Sequence, residues 1–245
     1  KIYAPDISIN VHNGYAQGEK VYMKRLEGGN VDGNTVNIEL AVGGIIKAQE
    51  VHVDVLTSNT LIYASKLIDI DMLKGEDNEF MIEPRLVKGL SEEIQSLQRQ
   101  FDRLMHARSN LKKELSAKMR SIRAGENVIK QIKQTIAANE KKGIKTPASY
   151  IQRMHKFQSL MKSIRVDEEE LIFLNEELNK LKAQIDVKQS IILNAKVVNK
   201  HKWSGYNKVS FSLLSPEIVE ETTTEGKKNV IMLKEGSDSR YHIES

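Results

Sequence analysis

Six histidines, at positions 12, 52, 106, 155, 201 and 242, and an acidic group of Asp69, Asp71, Asp77 and Glu79 are the side chains here whose types suit acid–base or metal chemistry. A zinc site needs several donors converging, and no His-Glu-x-x-His or equivalent spacing occurs. The chain has no cysteine, which removes thiolate ligands, thiol nucleophiles and disulfides together. No Gly-x-Gly-x-x-Gly opens a helix, and neither a phosphate loop nor a Gly-x-Ser-x-Gly elbow is present. The expectation is therefore no metal, no cofactor and no catalytic residue. An enzyme would require His12, His52 and the acidic group to converge in one groove.

Electrostatic binding has better support. Over residues 95–131, a helical heptad reading places Arg99, Arg103, Lys113, Arg120, Arg123 and Lys130 on the outward b, c and f positions, with Asp102 as the single acid among them. Such a stripe attracts an acidic protein face, an anionic lipid surface or nucleic acid. No aromatic residue interleaves with it, which argues against single-stranded nucleic acid. The simpler reading, preferred from sequence alone, is that these long basic side chains only solubilise a thin coiled coil.

Two kinds of element must carry these residues. In the first zone a small residue is followed by apolar residues three and five positions on: Ala4 by Ile7 and Ile9, Gly18 by Val21 and Met23, Gly33 by Val36 and Ile38, Ala48 by Val51 and Val53, Ser65 by Ile68 and Ile70. Two residues before each small one stand Ile2, Ala16, Val31, Ile46 and Tyr63. Alternation of this kind is a half-buried strand, and recurrence at a nearly fixed period implies coils that bury their faces on their neighbours. A parallel β-helix over residues 1–88 fits best; an antiparallel sandwich is the competing arrangement.

The period then changes. With a at Ile94, Phe101, Arg108, Leu115, Ile122, Ile129 and Ile136, and d at Leu90, Leu97, Leu104, Leu111, Lys118, Gly125 and Ile132, 11 of 14 seam positions are apolar. Ser91, Glu92 and Glu93 suit a helix start, Lys141, Lys142 and Gly143 a stop, and Thr146-Pro147 a restart. The second helix carries Tyr150, Met154, Phe157, Met161 and Ile164, then Leu171, Leu174, Leu178, Leu181 and Ile185, with an expected phase slip at Asp167–Glu170. So short a connection makes the helices antiparallel neighbours over residues 89–188, an arm of roughly 70 Å. Strands are expected to resume at Ile191–Val198 and Val209–Leu213 and to complete or cap the β-helix over 189–215. Residues 216–245 read as a polar tail, mobile over Glu220–Glu225 with one weak strand at Val230–Leu233.

Charge follows the same zones. Residues 1–88 carry 9 basic and 13 acidic side chains, whereas 89–199 carry 21 and 13. No run approaches the roughly 18 apolar residues of a membrane span, and cysteine-free composition suits a reducing compartment. The chain begins inside the repeat, at Lys1, which reads as a segment of something longer.

The order of elements, with Gly28-Gly29-Asn30-Val31, Gly43-Gly44-Ile45-Ile46-Lys47-Ala48 and the run from Ser65 to Pro84 leading into the hairpin, resembles the bacterial flagellar assembly protein A family. The resemblance covers about residues 1–214, with fewer glycine corners than the family pattern. It implies a right-handed parallel β-helix with an inserted long antiparallel coiled-coil hairpin. It further implies a cytoplasmic, polar, non-enzymatic scaffold of flagellum assembly, with a signal-recognition-like flagellar GTPase as protein partner. More distant likeness to bactofilin filaments, and to the β-helical half of a division-site inhibitor, adds self-association through the β-helix ends as an alternative.

Overall fold

The computed structural model describes residues 1–214, 217–236 and 241–245, which form two units: 1–98 with 184–245, and 99–183. In the first, β1 (Ile2–Tyr3), β2 (Asp6–Gln17), β3 (Lys20–Asp32), β4 (Thr35–Ala41), β5 (Gly44–Leu56), β6 (Thr60–Leu73) and β7 (Glu79–Ile82) pair in parallel, each with the strand one coil away. This is a β-solenoid of about five turns, and the antiparallel sandwich is excluded for this region.

The alternation explains the stacking. Ile7, Val21, Val36, Val51, Ile68 and Val197 lie one above another, as do Ala16, Val31, Ile46, Ile62, Phe80 and Val209, and these inward ladders form the core. One register differs from expectation. Ala64, not Ser65, stacks on Ala48, and Ile62, not Tyr63, stacks on Ile46. A register shift beyond Ala48 gives β6 one extra residue before Leu67 meets Glu50, so Ser65 and Lys66 stand where β5 has Gln49 alone. The corner at Gly29 has φ +78°, and a Cβ there would collide with the backbone of Gly14 in the coil beside it. Only glycine allows that approach.

At the far end, β8 (Lys196–Asn199) adds in parallel to β6 and β9 (Lys208–Leu214) to β7. The segment read as a tail is instead built into the sheet. There β10 (Glu217–Thr223) pairs antiparallel with β9, β11 (Val230–Glu235) with β8, and β12 (Tyr241–Glu244) with β11. Ile231 and Leu233 reach the core, so a few well-placed apolar residues outweigh the polar composition around them. The boundary expected at 215–216 lies outside the described residues. An internal polar ladder finishes this end. Asn78 Oδ1 accepts from the Thr60 backbone N–H at 2.9 Å, while its amide donates to Thr57 O and Asn207 Oδ1, each at 2.8 Å. At the opposite end β1 covers only Ala16 and Gln17, which leaves the outer edge of Asp6–His12 without a strand partner among the described residues.

Helix α1 runs Leu90–Lys141 and α2 runs Ala148–Leu193. The start is one residue before Ser91, and Ile191–Leu193, expected as strand, are the last turn of α2. The stop has the expected chemistry: Gly143 has φ +67°, its N–H donates to Glu140 O at 3.2 Å, and Ile144 N–H donates to Asn139 O at 2.9 Å. Every a and d position of α1 is buried or half-buried.

The expected phase slip in α2 is absent. Leu160 rather than Met161 faces inward, and Asp167, 8% exposed, occupies the seam itself, so the spacing of three and four continues unbroken to Ile185. The physical reason stands opposite, where Lys118 Nζ lies 2.6 Å from Asp167 Oδ2.

Candidate functional site

The six cations of α1 are all exposed, as their heptad positions require. Five of them span Arg103 to Lys130 within the helical unit, and Arg99 begins that unit. Asp102 and Arg99 are both engaged in interactions, so the stripe is not a row of unpaired charges. Arg123 also lines an apolar groove between the helices, beside Met119, Ile122, Met161 and Ile164.

What holds the stripe outward is the seam behind it. Leu111, Leu115, Ile129 and Ile132 of α1 and Leu174, Leu178 and Leu181 of α2 are buried, so neither helix has a second inward face to offer. All three seam positions of α1 that break the apolar pattern have a matching residue on α2. Arg108 Nη1 donates to Asn175 Oδ1 at 3.3 Å, Lys118 meets Asp167, and Gly125 leaves room beside the Phe157 ring, 3.9 Å from where a Cβ would stand. Polar pairs at single seam positions fix register, because any slip would strand a charge among apolar side chains.

The histidines do not converge. His12 is 8% exposed and lies on the inward ladder continued by Leu26, Ala41, Leu56 and Leu73, and its Nε2 has no hydrogen-bond partner. His52 lies on a different ladder, between Asn37 and Asp69. There its Nδ1 is 3.2 Å from Asp69 Oδ2, the one place among the described residues where a histidine meets the acidic group. Lys200 lies 3.8 Å from Asp69 and 3.6 Å from Asp71, so it balances the carboxylates. Asp77 sits in a turn with φ +59°, and Glu79 stacks on Lys208. A carboxylate can orient an imidazole for proton transfer, but that chemistry also needs a substrate held over the ring. Two clefts of the solenoid unit, one lined by Gln17, Asp32, Lys47 and Leu86 and the other by Trp203, Tyr206 and Lys227, include neither His52 nor Asp69. Among the described residues no group of three or more His, Asp or Glu is placed to hold a metal ion.

No family model, curated protein or solved structure matches this chain. The geometry therefore stands by itself.

Outer faces of the solenoid carry polar ladders as well. Tyr15 donates to Asp32 Oδ2 at 2.7 Å, and this bond to a carboxylate pushes the phenol up to about 12. Tyr22 is raised in the same way by its bond to Glu39, and Lys208 is raised by Glu221, 2.7 Å away. No helix is long and apolar enough to cross a membrane among the described residues.

Sequence reasoning found the stripe but missed the polar pins. Their signal was present: Lys118 and Asp167 stand at equal distances along the chain from the Lys142–Gly143 turn, so an antiparallel hairpin must bring opposite charges together.

Proposed function

We propose that this protein is a non-enzymatic scaffold of bacterial flagellum assembly that docks protein partners through its solenoid and its helical hairpin. The observation that carries the docking role is the row of exposed cations along α1, from Arg99 to Lys130, on the side turned away from the seam between the helices. A surface of this kind takes an acidic protein face, since charge of one sign spread along a stiff element steers and orients a partner of the other. The flagellar context, the cytoplasmic and polar location and the signal-recognition-like GTPase as partner rest on the family resemblance of the β-repeat, hairpin and returning strands.

Replacing residues 99–183 by a short linker tests this reading in the source bacterium. The solenoid unit is expected to remain folded while motility is lost, and a fully motile strain would refute the scaffold role. A second reading, binding of an anionic surface or nucleic acid, draws on the excess of cations over residues 89–199. Under it, Glu at Arg99, Arg120 and Arg123 together abolishes a strongly salt-dependent association with anionic vesicles or duplex. Under the scaffold reading, the same triple variant loses a protein partner in pull-downs. Bactofilin-like stacking would instead use the unpaired edge of β2.

A further inference from the structure

Along α2, Met161, Arg165, Glu168 and Ile172 follow one another at spacings of four, three and four, which sets them in one line on a helical face outside the seam. Met161 is 52% and Ile172 60% exposed, so a large apolar side chain stands in water at each end of the line. At the Met161 end the two helices also leave an open apolar groove, formed by Met119, Ile122, Met161 and Ile164, with Arg123, Arg165 and Glu168 on its lining.

The order apolar, basic, acidic, apolar has a symmetry of its own. Read backwards it is the same spacing with the two charges exchanged. Laying a second α2 antiparallel across this face, with a two-fold axis between Val166 and Asp167, therefore sets Met161 opposite Ile172 and Arg165 opposite Glu168. Each pairing occurs twice. A parallel arrangement would set Arg165 on Arg165 and Glu168 on Glu168, so charge selects the antiparallel one.

We propose that two copies of the chain associate through this face of α2, with Ile172 of each copy entering the apolar groove beside Met161 of the other. The contact is isologous and self-limiting: one patch meets itself, each knob fills the other copy's hole, and both like-numbered ends are used up. It makes the assembly a dimer of hairpins rather than a filament. The groove also takes Met119, Ile122 and Arg123 from α1, so the test below changes only residues of α2 and its failure leaves the docking role of the α1 cations untouched.

Sedimentation of the full chain over a concentration series tests it. The unmodified chain is expected to shift from monomer to dimer. Arg165→Glu sets two carboxylates face to face on either side of the two-fold axis and should weaken the dimer at least about tenfold; Glu168→Arg sets cations face to face there and should do the same. The double exchange, Arg165→Glu with Glu168→Arg, restores complementarity and should restore the dimer. Because the chain has no cysteine, a mixture of Met161→Cys and Ile172→Cys chains should also form a mixed disulfide. Ile172→Cys alone should not, its two copies lying about 16 Å apart along the helix. All these positions face outward, and unchanged helical circular dichroism verifies that the variants fold. A chain that stays monomeric throughout overturns the proposal. So does a dimer indifferent to Arg165→Glu, or a double exchange no better than either single one.

Discussion

The solenoid and the hairpin solve burial differently. Ile46, Ile62, Phe80 and Val209, on one ladder of the solenoid, are each 0% exposed, because every coil is roofed by the next and the core is enclosed on all sides. Two helices cannot enclose anything. Along the hairpin, Leu174 and Leu178 are well buried, while Phe101, Leu104, Ile122 and Ile136 are only half-buried. Stability in the solenoid therefore comes from apolar area removed from water between residues far apart in sequence. In the hairpin it comes from many partial contacts spread along its length, with register left to the few polar pairs.

The largest expected effect lies in the enclosed core. Phe80→Ala removes a ring stacked between Ile62 and Val209 and tilted against Trp203 at 6.0 Å, and should destabilise the solenoid by about 3–5 kcal/mol. Leu174→Ala on the hairpin should cost less, about 2–3 kcal/mol, because solvent and a small shift of the partner helix accommodate the gap. Chemical denaturation followed by circular dichroism measures both. Equal costs would mean that the hairpin seam is as tightly enclosed as the solenoid, and the contrast between the two would fail.

That contrast also governs how much could be read from sequence. In α1 the heptad assignment is legible residue by residue, because one face of one helix repeats without interruption and its misfits are single. The solenoid repeat is legible through β5 and again at Ile68 and Ile70, which stack on Val51 and Val53 as expected, but it is off by one at Tyr63 and Ser65, since a bulge adds a residue without changing residue type. Of the last three strands only β11 is legible, through Val230–Leu233; β10 and β12 escape a reading by composition because they bury little, with Tyr241 and Ile243 only partly buried against the core. Asn78 and Asn207 carry no periodic signal, as an internal amide ladder is defined by stacking between coils and not by spacing along the chain. Of the candidate site, the outward placement of the cations follows from heptad position alone. The repeat, which sets Val51 and Val53 against Ile68 and Ile70, also places His52 opposite Asp69, whereas the contact between their side chains is visible only in the structure.

A sharper test of the hairpin's register separates the two members of its buried pair. Asp167 has its side chain 12% exposed and Lys118 30%, so removing the cation strands the more buried group. Lys118→Leu should then cost about 1–3 kcal/mol, whereas Lys118→Leu with Asp167→Leu should lie within about 1 kcal/mol of the unmodified chain or exceed it. A double-mutant cycle in denaturant measures the coupling directly. Additive single effects would show that the pair is a surface contact, and the register would need another explanation.

The smallest effect concerns the solenoid's outer face, where coils are joined by side chains in water. Tyr15 keeps its proton because the hydroxyl donates to Asp32, one coil away, so the folded chain holds that proton more tightly than the unfolded chain does. The sign follows. This bond's contribution is complete below pH 10, the ordinary tyrosine value, and is lost as the pH rises through about 12. In a difference titration of phenolate absorbance, Asp32→Ala should move one of the seven tyrosines down toward 10 and leave the helical signal unchanged. Tyr22, held up by Glu39, provides the internal comparison and should not move. Identical titration curves for the two chains would mean that outer ladders add no specific bond between coils, leaving the inward apolar columns alone to set how the coils stack.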